Sequence, residues 1–377
     1  MADTVQYKCP NCTGALEFNA ARQKLVCPYC GSEYDVAMFG KQDEQIAGAT
    51  QQQPAQAPDQ LNGANFNGAI NNNGGTQWAP GEEESMRVWS CPSCGGAIVG
   101  DANTAATTCP YCGNRTVMSG ALSGTLKPDL IIPFKLDKKA AMSAYEQHIK
   151  GKRLIPGPFK AKHKIEEIKP IYLPFWLFDA NVSGEVDYIG TRTRSWSDSN
   201  YDYVETSEFR IKRVGGAMFE RIPADGSRRT DDTLMECIEP FDYREAREFS
   251  GAYLAGYVAD KYDVGAEELS QRVHERLRTS MESAFGSTVT GYSSVRAVGS
   301  NINIMDSGAK YALLPVWMLT TTYQGKNYVF AMNGQTGKFS GDLPFDKGAY
   351  KKWFAGICAG VAAAVAGAGM LIAYLFM

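Results

Sequence analysis

Eight of the ten cysteines fall into two sets with the same spacing. The first set is Cys9, Cys12, Cys27 and Cys30, and the second set is Cys91, Cys94, Cys109 and Cys112. Both read C-x2-C, fourteen intervening residues and C-x2-C, with the sets 82 residues apart. Two such cysteine pairs can surround a Zn2+ ion as a tetrahedron of thiolates, with Zn–S bonds of about 2.3 Å. The spacing therefore predicts two structural Zn2+ sites in a duplicated module.

Disulfides and redox chemistry are the alternatives for these cysteines. The start of the chain, MADTVQYK, lacks the apolar region of a signal peptide, and a reducing compartment favours metal over disulfides. A redox C-x-x-C would need a thioredoxin-like βαβ pattern, which the sequence does not show. Four protein thiolates leave no open position to activate water, so the sites are expected to be structural. Cys237 and Cys358 fall outside both sets and are expected to be inert.

The four cysteine pairs lie in short turns that read CPNCTG, CPYCG, CPSCGG and CPYCG. Proline fixes φ between the two ligands, and a glycine after the second ligand permits φ > 0, so that backbone N–H groups point at the thiolates. Units of about 30 residues bury too little apolar surface to fold without help. The sequence therefore predicts two small zinc ribbons, at residues 1–38 and 87–119, that are folded by their metal.

The elements around the ribbons follow from composition and patterning. Residues 39–86 are rich in Gln, Asn and Gly and predict a disordered tether. Residues 120–346 have a globular composition and contain two similar hexapeptides, LPFWLF at 173–178 and LPVWML at 314–319. Each hexapeptide follows a helical stretch and precedes a strand-like run. The helix before the second has an apolar face with a period of four, made of Leu269, Val273, Leu277 and Met281.

These patterns predict an α+β protein with two small zinc ribbons, an internally duplicated α+β domain with an antiparallel sheet, and a C-terminal transmembrane helix. Residues 190–250 alternate with a period of about two between polar turns, which favours antiparallel strands.

Residues 353–377 contain no charged side chain over 25 positions, and about 20 residues suffice to cross a bilayer. Aromatic residues lie near both ends, and lysines precede the segment, which predicts a membrane anchor with the bulk of the chain in the cytoplasm. Small residues recur every four positions and predict packing against another membrane helix, from a second copy or a partner. They are Gly356, Gly360, Ala364 and Ala368.

The charge of the chain argues against several classes of function. The net charge is −3 and the pI is about 5.8, unlike a strongly basic nucleic-acid-binding protein. Four thiolates and one Zn2+ carry −2 per ribbon, which would take the formal charge to −7. Residues 127–169 hold eleven Lys and Arg against five Asp and Glu. A solvated face or a contact with anionic lipid is favoured for this region over nucleic acid.

The sequence shows no pattern typical of an active site. It has no P-loop, GxSxG, HExxH or Rossmann glycine motif. The three histidines, His148, His163 and His274, lie in a Lys-rich stretch or on a solvated helix face. Carboxylates occur in TDD at 230–232 and in ECIEPFDYREAREF, but such residues are common on protein surfaces. The sequence therefore predicts a protein that is not an enzyme.

Several longer motifs resemble those of a known family. CPxCG ribbons followed by YLPFWLFDANVSGEVDYIGTRTRSW, IEPFDYREAREFSGAYLAGYVADKYDV, LLPVWMLTTTY and FAMNGQTGKFSGDLPFDKGAYKKW resemble the bacterial TFIIB-type zinc-ribbon membrane proteins, which are often labelled primosomal helicase. The resemblance runs from about residue 87 to the apolar segment. This chain differs in having a second, N-terminal ribbon, and in having one apolar segment where relatives commonly have a pair.

The resemblance implies a cytosolic zinc-ribbon protein held at the cell membrane. Relatives are encoded beside a phage-shock-protein-A-like (ESCRT-III-like) protein and an SPFH protein, which implies recruitment of such proteins under envelope stress. The first hypothesis is therefore a non-enzymatic, membrane-anchored adaptor. The second is a membrane-tethered zinc-ribbon protein that binds nucleic acid, for which Arg22, Lys24 and Arg115 offer few basic groups. A zinc-dependent enzyme is a third class, and sulfur-only sites argue against it.

Overall fold

The computed structural model describes residues 7–39, 74–78, 86–101, 108–114, 116–122, 125–161, 165 and 167–376. It is a mixed α+β structure with one apolar C-terminal helix. The strands are β1 Glu17–Asn19, β2 Lys24–Val26, β3 Glu33–Tyr34, β4 Met86–Ser90, β5 Ala97–Asp101, β6 Val117–Ala121, β7 Leu130–Ile131, β8 Lys169–Ser197, β9 Asp202–Asp225, β10 Arg247–Glu248, β11 Val258–Asp260, β12 Ser294–Tyr323, β13 Lys326–Asn333 and β14 Phe339–Gly341.

Helices and short 3-10 turns accompany the strands in the described part of the chain. The helices are α1 Lys138–Ile149, α2 Asp232–Cys237, α3 Ala266–Ser287 and α4 Lys347–Phe376, and the 3-10 turns are Gly157–Lys160, Tyr243–Glu245 and Gly251–Leu254. Asp137 caps α1 by accepting a hydrogen bond from the backbone N–H of Ala140. Both helical stretches that the sequence indicates ahead of the hexapeptides are present, as α1 and α3.

The first three strands form a small sheet of their own, and the other strands share a main sheet. The path through the main sheet is β10–β7–β12–β8–β11–β5–β4–β6, with β9 on β8, β13 on β12, and β14 on β13. Most contacts are antiparallel, as predicted. Two are parallel, between β7 and β12 and between β11 and β8, so the sheet is mixed. The parallel contacts exist because β7 and β11 are short strands that reach the sheet from distant parts of the chain.

Two stretches of the chain repeat one order of elements. The first runs β7, α1, β8 and β9, and the second runs β11, α3, β12 and β13. In each stretch the short strand pairs in parallel with the long strand of the other stretch. Leu130 lies opposite Ala312 in β12, and Val258 lies opposite Ile171 in β8. The long strands β8 and β12 pair antiparallel, and the two hexapeptides begin opposite each other.

The tryptophans of the two hexapeptides make matching hydrogen bonds. The indole N–H of Trp176 donates to the carbonyl of Val264, two residues before α3, at 2.9 Å. The indole N–H of Trp317 donates to the carbonyl of Leu136, two residues before α1, at 3.1 Å. A buried indole N–H needs such a partner, so each tryptophan ties one long strand to the start of the other stretch's helix.

Neighbouring residues of β8 point into two separate cores. Tyr172 and Trp176 pack on the side of α1 and α3, whereas Leu173 and Phe175 pack on the opposite side with Cys109. A strand that is covered on both faces reads as a continuous apolar run rather than an alternating one. This explains why the hexapeptides show no period of two. The predicted apolar face of α3 is buried at all four positions, at Leu269, Val273, Leu277 and Met281.

Three strands continue as an extended arm, and the buried cluster that contains Tyr172 and Trp176 continues along one face of it. The arm consists of residues 180–219 of the β8–β9 hairpin and residues 294–306 of β12, which pairs with β8. Helix α3 covers one face, where Phe285 and Met281 join the cluster that contains Tyr188 and Ile211. The long antiparallel strands predicted for residues 190–250 end at Asp225. Beyond it the chain forms α2, capped by Asp231, a 3-10 turn capped by Asp242, and the two-residue strand β10.

Part of the predicted tether contacts the main sheet region. The backbone of Thr76 exchanges two hydrogen bonds with Lys127, and the N–H of Gly75 donates to Asp129 at 2.7 Å. A Cβ on Gly74 would lie 2.7 Å from the ring of Trp176, so only glycine fits there without displacement. Residues 40–73 and 79–85 lie outside the described residues.

Helix α4 is long and apolar enough to cross a membrane. The candidate span is Lys347–Met370; its most apolar 18-residue window has a mean hydropathy of 1.7, and none of that window is buried against the rest of the protein. A helix of 30 residues spans about 45 Å at 1.5 Å per residue. Its exposed apolar surface is what a lipid-facing helix requires.

Candidate metal centres and their attachment to the fold

The two metal centres are built from four turns with the same backbone geometry. In each turn the N–H of the first cysteine donates to the carbonyl five residues later, and the N–H four residues later donates back to the first cysteine. The residue at that fourth position has φ between 62° and 74°. It is Thr13 in the first turn and glycine in the other three, at Gly31, Gly95 and Gly113. The prediction of a glycine at positive φ thus holds for three turns, and a threonine takes the position in the first.

The structure brings together all eight predicted ligands in their two sets. The four Sγ atoms of each set lie within 4.8 Å of one another. In the first set, Cys9 and Cys30 have their sulfurs 3.5 Å apart and Cys12 and Cys27 have theirs 3.4 Å apart. The matching distances in the second set are 3.5 and 3.6 Å.

These sulfur separations fit a tetrahedral metal site rather than a disulfide. A disulfide bond is about 2.05 Å long, and all of the described cysteines are free thiols. A tetrahedron with metal–sulfur bonds of about 2.3 Å has edges of about 3.8 Å, close to the observed values. Four thiolate donors with no carboxylate or imidazole favour Zn2+ among biological cations. Bound Zn2+ would supply four bonds that crosslink the two turns of each ribbon, and no position would be left for substrate.

The surroundings favour the thiolate at Cys9 and Cys91, whereas burial or neighbouring thiols raise the pKa of Cys12, Cys94 and Cys109. Burial raises the pKa of Cys9, but hydrogen bonds from Tyr34 and from the N–H groups of Asn11 and Cys12 outweigh it and lower the pKa to about 6. Burial likewise raises the pKa of Cys91, and backbone N–H groups in its turn lower it to about 7. Donors aimed at sulfur stabilise the thiolate, which is the form that binds metal. The predicted N–H groups pointing at the thiolates are therefore present.

The N-terminal ribbon, ribbon 1 (residues 7–39), rests on the main domain. The N–H of Phe18 donates to the carbonyl of Ala255 at 2.9 Å, and its ring packs edge-on against Tyr253 at 5.3 Å. The side chain of Gln23 donates to the carbonyl of Phe134 at 2.7 Å. Ribbon 1 keeps its own core around Leu25 and Cys27 and shares that core with residues 252–257.

The second ribbon, ribbon 2 (residues 86–122), is part of the main sheet. Its strand β5 pairs antiparallel with β11, with Val99 opposite Ala259 and Ile98 opposite Asp260. Cys91 lies in the same buried cluster as the odd-numbered residues of β8. Ribbon 2 is thus continuous with the sheet that contains both hexapeptides. The division at residue 119 between ribbon and domain stays a prediction, and strand pairing crosses it.

A buried polar network joins ribbon 2 to the domain. The hydroxyl of Tyr111, between the last two ligands, donates to the carboxylate of Asp260 at 2.5 Å, and Ser227 donates to the same oxygen at 2.6 Å. Burial raises the pKa of Asp260 to about 6. Arg229 reaches the carbonyl of Gly95 in the third turn at 3.1 Å. These contacts satisfy a buried carboxylate that would otherwise be costly.

One short stretch of chain therefore carries both ribbons. We call residues 251–260 the docking segment: its first half contacts ribbon 1, and its second half, as β11, pairs with ribbon 2. The sequence singled out GAYLAGYVAD as part of a longer motif but indicated no role for it. Three residues of strand, Val258–Asp260, are too few to show a period of two, so no pattern could have revealed this contact.

Other residues considered for chemistry have structural partners. Asp232 and Glu236 form ion pairs with Arg272 of α3, and Glu239 pairs with Arg276 at 3.0 Å. His148 lies 3.2 Å from the carbonyl of Gly341, beside aromatic rings, and burial lowers its pKa. His163 lies outside the described residues.

Comparison with known proteins gives one informative relationship. The chain is similar to the uncharacterized protein YdjG of Bacillus subtilis (strain 168), with 33% identity over 356 residues, which cover 94% of this chain and 95% of that protein. No protein-family model matches the chain, and no solved structure matches it. The relationship covers nearly the whole length of both chains. It does not test the resemblance to TFIIB-type proteins, which stays a prediction.

Proposed function

The chain belongs to the family of the Bacillus subtilis protein YdjG, and we propose that it is a non-enzymatic adaptor, anchored in the cell membrane, whose two Zn2+ ribbons and α+β domain recruit cytosolic protein partners. The observation that carries the proposal is that each centre brings together four cysteine sulfurs and no carboxylate or imidazole. Zinc with four protein thiolates supplies structure and no chemistry. In this proposal the metal fixes the arrangement of the turns in each ribbon, and the exposed surface of these turns binds another molecule.

The attachment of both ribbons to one docking segment supports a binding role. Ribbon 1 and ribbon 2 contact successive halves of residues 251–260, so their relative position is set by the domain. In each ribbon the first cysteine of every pair is buried, whereas Cys12, Cys30 and Cys94 are exposed. The exposed turns, with their neighbouring prolines, face solvent as rigid loops. A partner can contact both ribbons at once without paying to order them.

The basic stretch beside α4 supports an orientation with the soluble part in the cytoplasm. The N–H of Asp346, just before α4, donates to the carbonyl of Leu154 at 2.9 Å, so residues 150–153 lie beside the start of the helix. Their three basic side chains are exposed. The first turns of α4 add Lys347, Lys351 and Lys352. Cationic residues at a helix end favour the cytoplasmic leaflet, where anionic lipid is enriched.

We propose further that the α+β domain arose by internal duplication. The matching order of elements, the exchanged parallel strands and the matching tryptophan hydrogen bonds support this. The two long strands then form the centre of a domain with approximate two-fold symmetry. Such a domain presents related surfaces on its two sides, which suits a scaffold with more than one partner.

The proposed partners are a phage-shock-protein-A-like (ESCRT-III-like) protein and an SPFH protein, acting at the inner face of the membrane in envelope stress. Binding of nucleic acid is the competing function. The ion pairs of ribbon 1 disfavour it, because Glu33 contacts both Arg22 and Lys24 and so offsets the basic groups that a phosphate would need. Arg115 lies outside the described residues. The small residues of α4, around Gly356 and Gly360, are proposed to pack against a further membrane helix.

The test is a binding assay with the full chain in detergent micelles and a purified phage-shock-protein-A-like protein. We expect retention of that protein on beads that carry the chain, and reduced retention for a chain that starts at residue 74 and lacks ribbon 1. A matched control carries Gly360→Leu in α4, which leaves the soluble surfaces unchanged. No retention by the full chain, together with steeply salt-dependent binding of duplex DNA, would replace the proposal with the nucleic-acid function.

A further inference from the structure

The two outer edges of the arm differ in how they are protected. Strand β9 pairs only with β8, and within the described residues no strand covers its outer edge. From Asp202 to Phe219 its register with β8 is unbroken, and this stretch contains no proline. The arm part of β12 also has an open outer edge, but its register shifts at Ala297/Gly299 and again at Asp306/Gly308.

Natural proteins protect open strand edges from pairing with other chains by charged side chains, short lengths, bulges and prolines, and the last two interrupt the edge itself. The edge of β12 carries two such interruptions, whereas the edge of β9 is continuous over residues 202–219. A regular open edge of this length is a template for another strand. The difference between the two edges of one arm indicates that β9 binds a strand, because the same arm shows how an edge is blocked.

The side chains of β9 are self-complementary about Phe209. In an antiparallel pair of β9 strands with Phe209 on a two-fold axis, residues at equal distance from Phe209 lie opposite each other. Val204 then faces Val214 of the second copy, and these are among the most exposed large apolar side chains, at 68% and 69%. Glu208 faces Arg210, and Glu205 faces Arg213.

Neighbouring registers lose this complementarity. If the two-fold axis moves from Phe209 to the next residue, Arg210 lies opposite its own copy. If the axis moves to the preceding residue, Glu208 lies opposite its own copy. Like charges directly opposite each other are destabilising in a sheet, whereas opposite charges and apolar pairs are favourable. The register centred on Phe209 is therefore selected by charge and by apolar contact together.

We propose that the outer edge of β9 binds the same edge of a second copy of this chain, antiparallel and centred on Phe209, so that two three-stranded arms join into one six-stranded sheet. The two-fold axis stands perpendicular to the sheet, and both α3 helices lie on one face. The interface does not depend on the adaptor function, and it is separate from the small residues of α4.

Charge exchange in the full chain tests the proposal. The mass of the full chain in detergent micelles is measured by sedimentation over a range of protein concentrations. We expect a dimer that is weakened about tenfold or more by Glu208→Arg and by Arg210→Glu, since each substitution places like charges opposite each other twice per dimer. The double variant restores opposite charges and is expected to return to within about threefold of the native dissociation constant.

Two matched controls separate this interface from others. Arg296→Glu changes an exposed charge on β12, and Gly360→Leu changes the small-residue face of α4; neither should alter the dimer. The proposal is overturned if the chain is a monomer over the whole concentration range. It is also overturned if neither charge substitution weakens the dimer and Gly360→Leu abolishes it. A monomeric chain that takes up an added extended peptide on its arm also overturns it.

A crosslinking measurement gives an independent readout of the register. In a chain with Cys237→Ser and Cys358→Ser and with zinc present, Phe209→Cys places two thiols about 5 Å apart across the axis. We expect a short bismaleimide to convert this variant into covalent dimer. Met218→Cys, nine residues along the same strand, should stay uncrosslinked. Equal crosslinking of the two variants contradicts the proposed register.

Discussion

Thr13 holds a backbone conformation that the other three metal-binding turns assign to glycine. Its φ is 62°, and the corresponding residues Gly31, Gly95 and Gly113 have φ between 72° and 74°. A β-branched residue in this region costs about 1–2 kcal/mol relative to its ordinary conformations. The hydroxyl of Thr13 bonds only to the carbonyl of its neighbour Cys12. Ribbon 1 thus carries strain that ribbon 2 does not.

Thr13→Gly should therefore stabilise ribbon 1, by about 1 kcal/mol. The measurement is the chelator concentration that removes half of the metal from ribbon 1, which should rise in the variant. The reverse substitution at the equivalent position, Gly95→Thr, should make ribbon 2 lose metal at a lower chelator concentration. A Thr13→Gly variant that loses metal more easily than the native chain contradicts the role given to this conformation.

Asp225 and Asn333 occupy equivalent positions in the two halves of the domain. Each is buried, and each side chain accepts a hydrogen bond from the N–H two residues later, in Ser227 and Gln335 respectively. Burial raises the pKa of Asp225 to about 7, far above the value of about 3.9 in an unfolded chain. Between about pH 4 and pH 7, the carboxyl of Asp225 is therefore protonated in the folded protein and ionised in the unfolded chain.

Because the pKa of Asp225 is higher in the folded protein, the free energy of unfolding falls as the pH rises from the pKa in the unfolded chain to the pKa in the folded protein. Between pH 6 and pH 8 the free energy of unfolding should drop by about 1 kcal/mol because of this group. Asp225→Asn keeps the acceptor, as Asn333 does, and should remove that part of the pH dependence. Thermal unfolding of both proteins at the two pH values, with zinc held constant, provides the measurement. An unchanged pH dependence in the variant would show that Asp225 is ionised in the folded protein.

The two ribbons are attached to the domain in different ways, so loss of metal from each ribbon should affect a different part of the structure. Cys109 lies in a buried cluster with the centre of β8, whereas Cys27 lies in the separate core of ribbon 1. Loss of metal from ribbon 2 exposes one face of the main sheet and frees Tyr111 from Asp260. Loss of metal from ribbon 1 leaves the main sheet intact.

We therefore expect Cys109→Ser to increase hydrogen exchange in β8, β11 and β12, and Cys27→Ser to increase it only in residues 7–39 and 251–257. Both variants should keep one Zn2+ per chain where the native protein has two, as measured by elemental analysis. Equal exchange in β8 for the two variants would contradict the integration of ribbon 2 into the sheet.

Local patterns in the sequence predicted those elements that are defined by local contacts. The spacing of the eight cysteines located both centres, and the period of four in Leu269 and Val273 located the buried face of α3. The hexapeptides lie near the start of β8 and near the end of β12. Each of these signals lies within some thirty residues of chain.

Contacts between distant segments left no such signal. Val99 pairs with Ala259, 160 positions later, through a strand of three residues, and Ala312 pairs with Leu130 through a strand of two. Strands this short carry no period, and their neighbours are selected by the packing of the whole domain. The period of about two in residues 190–250 indicated strands in the arm, but it did not reveal that β8 and β9 run for 29 and 24 residues.

In the molecule as a whole, a long apolar helix follows a sheet that includes one of the two cysteine ribbons. The residue before α4, Asp346, is hydrogen-bonded to Leu154, beside exposed basic residues. The arm contains the N-terminal end of β12. The strand between Ser294 and Leu319 spans about 80 Å if straight. The arm is therefore displaced from the anchor along the sheet, where a second copy or a cytosolic partner can reach it.

The most direct test of the adaptor function is the position of a fluorescent phage-shock-protein-A-like protein in cells. The full chain is compared with a chain that ends at residue 346, since α4 is unburied and its removal leaves the described cores unchanged. We predict that the fluorescent protein concentrates at the cell periphery with the full chain and becomes diffuse with the shortened one. Equal peripheral fluorescence with both chains, or diffuse fluorescence with both, would contradict a membrane-anchored adaptor.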